Sequence, residues 1–280
     1  MTAAGIQTVI VPLDGSATAE AAIAPAIQLA NRCGAELVFL ATRWELTSLD
    51  TVTRYLDTRI EFLERDARPL VIVEGEAPAA ILHAAQDPGA LVCMATHGRS
   101  GVAQTVLGSV AEAVVRGCTN PVLLVGPRVR ADWTLADIPT VVAGFDGSDP
   151  ARTGVYAAGH LAESIGGRVR VVEVTRPPDV IAVPRFGLAH VDALESLVGQ
   201  LRDAGVVAEY EVLEGIDAAD TLIEDALRTA AALIALGTHG RSGIGRVVLG
   251  SVTTRVVRYS PVPVLVTGPR WSGAGSDTPG

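Results

Sequence analysis

The sequence predicts an α/β protein of two tandem domains, each a five-stranded parallel sheet flanked by helices. Three observations carry this prediction. A long stretch occurs twice, 142 residues apart, so the chain divides into two similar halves. Within each half, short apolar runs alternate with segments of helical spacing, an order typical of a parallel sheet with helical crossovers. Ala, Val, Leu and Ile dominate while aromatic residues are only 4%, as expected where helices cover both faces of a sheet.

The first half contains five predicted strands and four predicted helices in alternating order. Short apolar runs mark the strands, which are 8–13, 36–42, 70–73, 90–94 and 122–125. The helices are 18–32, 46–67, a short one from Pro78 to about 86, and 109–117. Ser16 is the expected N-cap of the first helix, and Pro78 suits the first turn of the third.

The second half repeats this order with one main insertion. Its predicted strands are 140–145, 169–174, 207–213, 232–236 and 264–266, and its predicted helices are 151–164, 190–204, 218–230 and 251–258. The spacing between equivalent residues is 132 at Asp14 and Asp146 but 142 at His97 and His239. Most of the extra residues fall in 176–189, where prolines and glycine predict a surface loop that is either a lid or decoration.

These patterns set the expected domain boundaries. We predict a first domain at 1–127, a polar linker at 128–138 and a second domain at 139–270. Residues 271–280 are rich in Gly, Ser and Pro and are expected to form a disordered tail. In open parallel sheets, ligands bind outside the carboxyl ends of the strands. Asp14, Asp146 and the glycine-rich stretches all follow strands, so we expect them to converge there.

The repeated stretch has the composition of a phosphate-binding loop. It runs from Ala95 through Thr-His-Gly-Arg-Ser-Gly in the first half and from Gly237 through the same residues in the second, and each copy leads to Val-Leu-Gly-Ser-Val. Glycines let the backbone approach a ligand closely, and the Gly-Ser step at a helix start offers N–H groups, a hydroxyl and the positive helix end to a phosphate. The alternative is a tight strand-to-helix turn. That turn needs the glycines but not the Thr-His-Gly-Arg-Ser string, so we favour phosphate.

Charge and composition exclude several other classes of partner. The net charge of −9 and the pI of about 5.0 argue against a general binder of nucleic acid or anionic membranes, whose surface would be basic. The three cysteines lie in the first half without metal-ligand spacing and are interpreted as small apolar residues in a reducing compartment. No basic-then-apolar leader and no apolar run of membrane-spanning length is present, so we expect a cytoplasmic protein.

Both halves, roughly 6–127 and 139–269, resemble the universal stress proteins in their tandem-domain form. The ATP-binding branch of that family carries Gly, two residues, Gly, nine residues, then Gly with Ser or Thr. Gly237, Gly240 and Gly250-Ser251 match this motif completely, whereas the first half has Ala95, Gly98 and Gly108-Ser109. The methyl of Ala95 either crowds a nucleotide or is tolerated. The resemblance implies a Rossmann-like fold of the adenine-nucleotide α-hydrolase-like type.

The resemblance also implies an ATP site in each half, with Mg²⁺ held mainly through phosphates and water. It implies that Asp14 and Asp146 meet the nucleoside, that the backbone at Thr42 and Val174 meets adenine, and that the Gly-Ser step holds phosphate. The expected first site comprises Pro12, Asp14, Thr42, Ala95, His97, Gly98, Arg99, Ser100, Gly101, Gly108, Ser109 and Val110. The expected second site comprises Gly144, Asp146, Val174, Gly237, His239, Gly240, Arg241, Ser242, Gly243, Gly250, Ser251, Val252 and Thr253.

Three functions remain open from the sequence. The first is an ATP-binding regulator or adaptor in stress adaptation, with slow or no turnover and no assigned catalytic residue. The second is an ATP-hydrolysing or adenylating enzyme of the related nucleotide hydrolase class, which the Asp-Gly-Ser turns weaken because such enzymes carry a Ser-Gly-Gly-type loop there. The third is a protein-binding module with one working nucleotide site. His97 and His239 are interpreted as groups that order the loop rather than as acid–base catalysts.

The last strand of each half also predicts association. Strands 122–125 and 264–266 would be apolar sheet edges if they were left unpaired, and such edges invite pairing. The resemblance implies that these strands meet across a dimer. With two halves in one chain they can pair internally as a pseudo-dimer, and the chain can form a homodimer and bind a protein partner of unknown identity.

Overall fold

The two halves join edge to edge in one ten-stranded sheet. The structure is a computed structural model, and it describes residues 5–42, 48–63, 66–72, 75–98, 107–176, 191–238 and 249–271. The strand order is β3-β2-β1-β4-β5-β10-β9-β6-β7-β8, so each half has the order 3-2-1-4-5. This confirms two Rossmann-like units in tandem and adds that they share a single sheet.

The elements of the first half follow the predicted alternation. They are β1 (Thr8–Pro12), α1 (Ala17–Glu20), α2 (Ile23–Cys33), β2 (Glu36–Thr42), α3 (Leu49–Glu61), β3 (Arg68–Ile72), α4 (Ala77–Ala84), β4 (Ala90–Ala95), α5 (Ser109–Gly117) and β5 (Val122–Val125). Those of the second half are β6 (Thr140–Phe145), α6 (Asp149–Ile165), β7 (Arg168–Thr175), α7 (Val191–Asp203), β8 (Val207–Glu214), α8 (Ala218–Arg228), β9 (Leu233–Gly237), α9 (Ser251–Tyr259) and β10 (Val264–Thr267).

Two helix predictions in the first half were wrong at their boundaries. The predicted helix 18–32 is broken at Ala21 and Ala22, because Pro25 has no N–H to donate to the Ala21 carbonyl and its ring clashes with that group. The predicted helix 46–67 is shorter. Ser48 caps α3 by accepting a hydrogen bond from the Thr51 amide, and the helix ends before the exposed Phe62. Residues 46–47 and 64–65 of that prediction lie outside the described residues.

The seam between the halves is the antiparallel pair of β5 and β10. Leu123 lies opposite Leu265, and both side chains are fully buried. All strand pairs within each half are parallel. The internal pairing predicted for the two final strands is therefore confirmed, and neither β5 nor β10 is left as an apolar edge.

Two glycines bring each half against a helix of the other. Gly126 follows β5, and a Cβ built on it would overlap the carbonyl oxygen of Val257 in α9. Gly268 follows β10, and a Cβ built on it would overlap the carbonyl oxygen of Val115 in α5. Both carbonyls lie in the last turn of their helices, where intrahelical donors run out. Only a glycine allows this approach, so the seam depends on a close contact that occurs twice.

The predicted linker 128–138 packs across both halves. Trp133 is buried, and its indole N–H donates to the Ala232 carbonyl of the second half at 2.8 Å. Gln28 of α2 donates to the Trp133 carbonyl and accepts from the Leu135 amide.

Trp271, the predicted first residue of the tail, lies edge-on to His160 of α6. Residues 272–280 lie outside the described residues, as do all but Arg176 of the insertion predicted at 176–189.

One contiguous apolar core runs through both halves between the sheet and its helices. Within the described residues, no helix is long and apolar enough to cross a membrane.

Candidate functional site

A cavity of about 260 Å³ opens at the carboxyl ends of β1, β2 and β4 in the first half. In the order 3-2-1-4-5, the crossovers leave in opposite directions between β1 and β4, which is where open parallel sheets bind ligands. One wall is apolar, formed by Leu13, Leu40, Ile81 and Met94. The polar and glycine residues of the lining form a second group, called the polar wall. Its residues are Asp14, Thr96, His97, Gly98, Gly108 and Ser109.

Asp14 is fixed at the mouth of this cavity by the turn that follows β1. Its Oδ1 accepts hydrogen bonds from the Ser16 amide at 3.0 Å and from the Ser16 hydroxyl at 2.6 Å. Ser16 in turn caps α1, since its Oγ accepts from the Ala19 amide at 3.1 Å. The other oxygen, Oδ2, lies against Gly98, where a Cβ would overlap it. The predicted convergence of Asp14 with the glycine-rich loop is therefore present in the described part of that loop.

The start of α5 presents uncapped amides to the same cavity. Gly108 is the N-cap and has no side chain that could accept from the first turn. The helical ladder begins only at the Glu112 amide, which donates to the Gly108 carbonyl, so the amides of Ser109, Val110 and Ala111 have no acceptor within the helix. All three residues line the cavity. The positive end of the helix dipole adds to these donors, which suits an anion.

The second half carries the same framework at the described residues. Asp146 accepts a hydrogen bond from the Ser148 amide at 3.0 Å, and Ser148 caps α6. Gly250 is the N-cap of α9, and Ser251 begins that helix. The hydroxyl of Thr253 is buried and donates to the Gly237 carbonyl at 2.8 Å, so this side chain joins α9 to the end of β9.

Other predicted site residues divide between the cavity, the core and the undescribed segments. Pro12, Thr42, Ala95 and Val110 line the first-half cavity. Gly144 and Val174 lie on β6 and near the end of β7. A Cβ on Gly144 would lie 2.6 Å from Leu236 Cδ2 and 3.1 Å from Leu222 Cδ1, so this position lies against two leucine side chains. His97 Nδ1 lies 3.1 Å from the Thr96 hydroxyl.

The remaining predicted site residues lie outside the described residues. They are Arg99, Ser100, Gly101, His239, Gly240, Arg241, Ser242 and Gly243.

The difference between Ala95 and Gly237 has a packing cause. A Cβ on Gly237 would overlap the Pro150 carbonyl at the start of α6, and a Cβ on Gly154 would lie 2.6 Å from the Gly237 amide nitrogen. The α6 backbone therefore packs directly on β9. In the first half the equivalent residues are Ala95 and Ala22, and Ala22 lies at the break between α1 and α2. Glycine at 237 is thus required by the helix that packs on it, whether or not a ligand is bound.

We expect Gly237→Ala to lower the free energy of unfolding by about 1–3 kcal/mol, the usual range for overpacking a core. Thermal and urea unfolding without nucleotide measure this. The matched control is Ala95→Gly, which creates no overlap and should cost only about 0.5–1 kcal/mol through backbone entropy. A Gly237→Ala protein of unchanged stability that had lost only ligand affinity would contradict the packing explanation.

Sequence reasoning missed the apolar wall of the cavity. Leu13, Leu40, Ile81 and Met94 were interpreted only as strand or helix residues. A usable signal was present, because Leu13 directly follows β1 and Leu40 and Met94 lie near the carboxyl ends of their strands. Ile81 lies on α4, and no short-range pattern places that helix over the cavity.

The thiols of Cys33 and Cys93 lie in surroundings that disfavour the thiolate. Burial raises the pKa of Cys33 to about 11 and raises the pKa of Cys93 still further. These thiols stay protonated near neutral pH and behave as the small apolar residues that the sequence indicated. Among the described residues, no group of three His, Cys, Asp or Glu side chains could hold a metal ion.

Comparisons with known proteins agree with this fold. The model of the universal stress protein family matches residues 5–126 and 138–268. A universal stress protein of Mycobacterium tuberculosis is 30% identical over 181 residues, which cover 59% of this chain and 59% of the relative, so the match spans less than two thirds of that relative's length. One from Thermus aquaticus is 33% identical over 132 residues, 45% of this chain and 96% of the relative. The crystal structure of a universal stress protein from Archaeoglobus fulgidus covers 94% of this chain and 98% of its own, with a TM-score of 0.66 and 19% identity.

Proposed function

Because the chain belongs to the universal stress protein family, we propose that it is an ATP-binding regulator that acts through nucleotide-dependent conformation or partner binding, with little or no turnover. One observation carries the proposal. The first-half cavity joins an apolar wall, a fixed carboxylate and the uncapped start of α5 within one opening. These three surfaces match the base, the sugar and the phosphates of a nucleotide.

The base would lie against Leu40, Ile81 and Met94, next to Thr42 at the end of β2. Apolar walls with a few polar groups are typical of such pockets, and the backbone at the end of β2 can supply hydrogen bonds to a purine edge. Asp14, which the Ser16 amide and hydroxyl fix in this position through Oδ1, would accept hydrogen bonds from ribose hydroxyls. Charged acceptors give the stronger class of hydrogen bond.

The phosphates would lie at the amides of Ser109, Val110 and Ala111. Mg²⁺ fits this arrangement only as an ion held by the phosphates and water, because the described wall offers one carboxylate rather than a ligand cluster. We extend the proposal to the second half through Asp146, Gly250 and Ser251, which repeat the fixed carboxylate and the glycine-capped helix start.

The proposal of little turnover rests on the turns that follow β1 and β6. Adenylating enzymes of the related nucleotide hydrolase class carry a Ser-Gly-Gly-type loop after the first strand, whereas this chain has Asp-Gly-Ser in both halves. In the first half that turn fixes Asp14, because the Ser16 amide and hydroxyl both donate to its Oδ1. The alternative, an ATP-hydrolysing or adenylating enzyme, is disfavoured by the same turns.

The first test is to purify the protein without added nucleotide, denature it and count the released adenine nucleotide. About two ATP per chain is expected, and about one would restrict the proposal to one half. Release of ADP or AMP would favour the enzyme instead. A nucleotide-free protein that gains no thermal stability from saturating Mg-ATP would refute ATP binding, since a ligand that binds the native state must stabilise it.

A further inference from the structure

We propose that the two nucleotide sites are coupled positively through a closed ring of backbone contacts that runs along α5, across the seam and back along α9. This inference rests on the function proposed above, because it concerns the regulation of the same sites. The strands of the two halves run in opposite directions, because β5 and β10 pair antiparallel. The carboxyl ends of the two sets of strands, and with them the two sites, therefore lie at opposite ends of the strands. Each of the two helices spans the sheet from one edge to the other.

The first part of the ring joins the first-half site to the seam. α5 begins at Ser109 in the cavity wall, and its last turn carries Val115. The Val115 carbonyl meets Gly268 so closely that no side chain fits between them. A hydrogen-bonded helix of nine residues is stiff along its axis, so a displacement at Ser109 is transmitted to Gly268.

The second part joins the seam to the second-half site. Gly268 directly follows Thr267, whose carbonyl accepts the Thr238 amide at 3.1 Å. The Thr238 carbonyl in turn accepts the amide of Gly250, the N-cap of α9. Thr238 is 2% exposed, so water does not compete for these bonds. The far end of α5 thus holds the residues that position the start of α9.

The return path has the same construction. α9 runs from Ser251 to its last turn, where the Val257 carbonyl meets Gly126. Gly126 follows Val125, whose carbonyl accepts the Thr96 amide at 3.2 Å. The Thr96 carbonyl then accepts the amide of Gly108, the N-cap of α5, at 2.8 Å. Both helix starts therefore belong to one ring.

The coupling is expected to be positive because both sites fix the same ring of contacts. A phosphate bound at the start of either helix fixes the axial position of that helix and, through the ring, the N-cap of the other. The first nucleotide bears most of the entropy cost of fixing the ring, and the second finds its helix start already in place. We therefore expect the second nucleotide to bind more tightly than the first.

The test is the binding isotherm of Mg-ATP on protein stripped of nucleotide. For the wild-type chain we expect two sites, a Hill coefficient above 1 and a second step at least about fivefold tighter, the low end of usual couplings. Gly268→Ala displaces the Val115 carbonyl and opens one of the two paths, so the Hill coefficient should fall, and Gly268→Ala combined with Gly126→Ala should return it to 1 with two sites still filled. The matched control is Gly199→Ala in α7, where a Cβ meets nothing within 4 Å, and it should behave as wild type.

A second measurement covers the case in which Gly268→Ala does not fold. Asp14→Ala weakens the first-half site without touching α5 or the seam, and the second-half site should then bind with the weaker affinity of the first step. Two equal steps, a weaker second step, or a Hill coefficient unchanged by Gly268→Ala would overturn the coupling. Saturation at one nucleotide per chain would overturn it too but would leave ATP binding intact, whereas no binding at all would refute the proposed function itself.

Discussion

Asp225→Ala is expected to lower the free energy of unfolding by about 3 kcal/mol, the low end of the range for removing one partner of a buried ion pair. The Asp225 side chain is fully buried on α8, and its two oxygens accept hydrogen bonds from Nε and Nη2 of Arg170 on β7 at 3.0 and 3.3 Å. The Arg170 side chain is only 9% exposed. Without Asp225, the partners that remain for that guanidinium among the described residues are the exposed Glu209 and Glu211.

The pKa of Arg170 agrees with this dependence. Burial alone would lower that pKa, but hydrogen bonds and charge attraction from Asp225 and Glu209 outweigh the desolvation and raise it. Because a guanidinium stays protonated in proteins, Arg170 keeps its charge when Asp225 is removed, and the loss appears as lower stability rather than as a neutral arginine.

The first half supplies a matched test of this pair. Its equivalent residues are Val38 and Ala84, an apolar pair in the same place. The double substitution Arg170→Val with Asp225→Ala should recover most of the stability that Asp225→Ala loses, because apolar residues often replace a buried ion pair at little cost. Urea unfolding of the wild-type chain, Asp225→Ala and the double variant measures this recovery. As a control, Glu36→Ala removes an exposed salt bridge to Arg68 and should cost less than about 1 kcal/mol. A single variant as stable as wild type would contradict the argument.

Ser109→Glu combined with Ser251→Glu is expected to weaken ATP binding by at least about 100-fold without destabilising the fold. Both serines are exposed first residues of nine-residue helices. A carboxylate at that position stabilises a helix by about 0.3–1 kcal/mol through the dipole. The same carboxylate repels a phosphate about 4 Å away by about 4 kcal/mol at an effective dielectric constant of 20. The substitution therefore lowers the affinity for ATP while it slightly stabilises each helix.

Calorimetric titration with Mg-ATP and thermal unfolding without nucleotide measure the two effects separately. The control is Ser109→Ala with Ser251→Ala, which removes both hydroxyls, adds no charge and should change affinity far less. Each single glutamate variant should lose one of the two nucleotides. If the double glutamate variant were folded and bound ATP as tightly as wild type, phosphate would not lie at these helix starts.

The sequence by itself determined the repeat, the element order and the residues at the carboxyl ends of the strands. The boundaries of β2, α5, β5 and β6 agree with the predicted ones to the residue, because short apolar runs and glycine or proline signals are local properties of the chain. The Asp14 turn and the start of α5 were also placed correctly, since strand order brings them to one edge of the sheet.

The tertiary structure alone decided which long-range contacts these patterns serve. Ala95 looked like a defect in a nucleotide motif, but Gly237 is a glycine because the α6 backbone packs on it. No sequence pattern indicated a role for Gly126 or Gly268, yet each lets a helix carbonyl of the other half come close to its backbone. The burial of Arg170 against Asp225 was equally hidden, since 55 residues separate the partners. The physical reason is common to all of them: periodicity and turn residues report on neighbours within a few positions, whereas close backbone approach and buried charge pairing depend on which surfaces meet after the chain has folded.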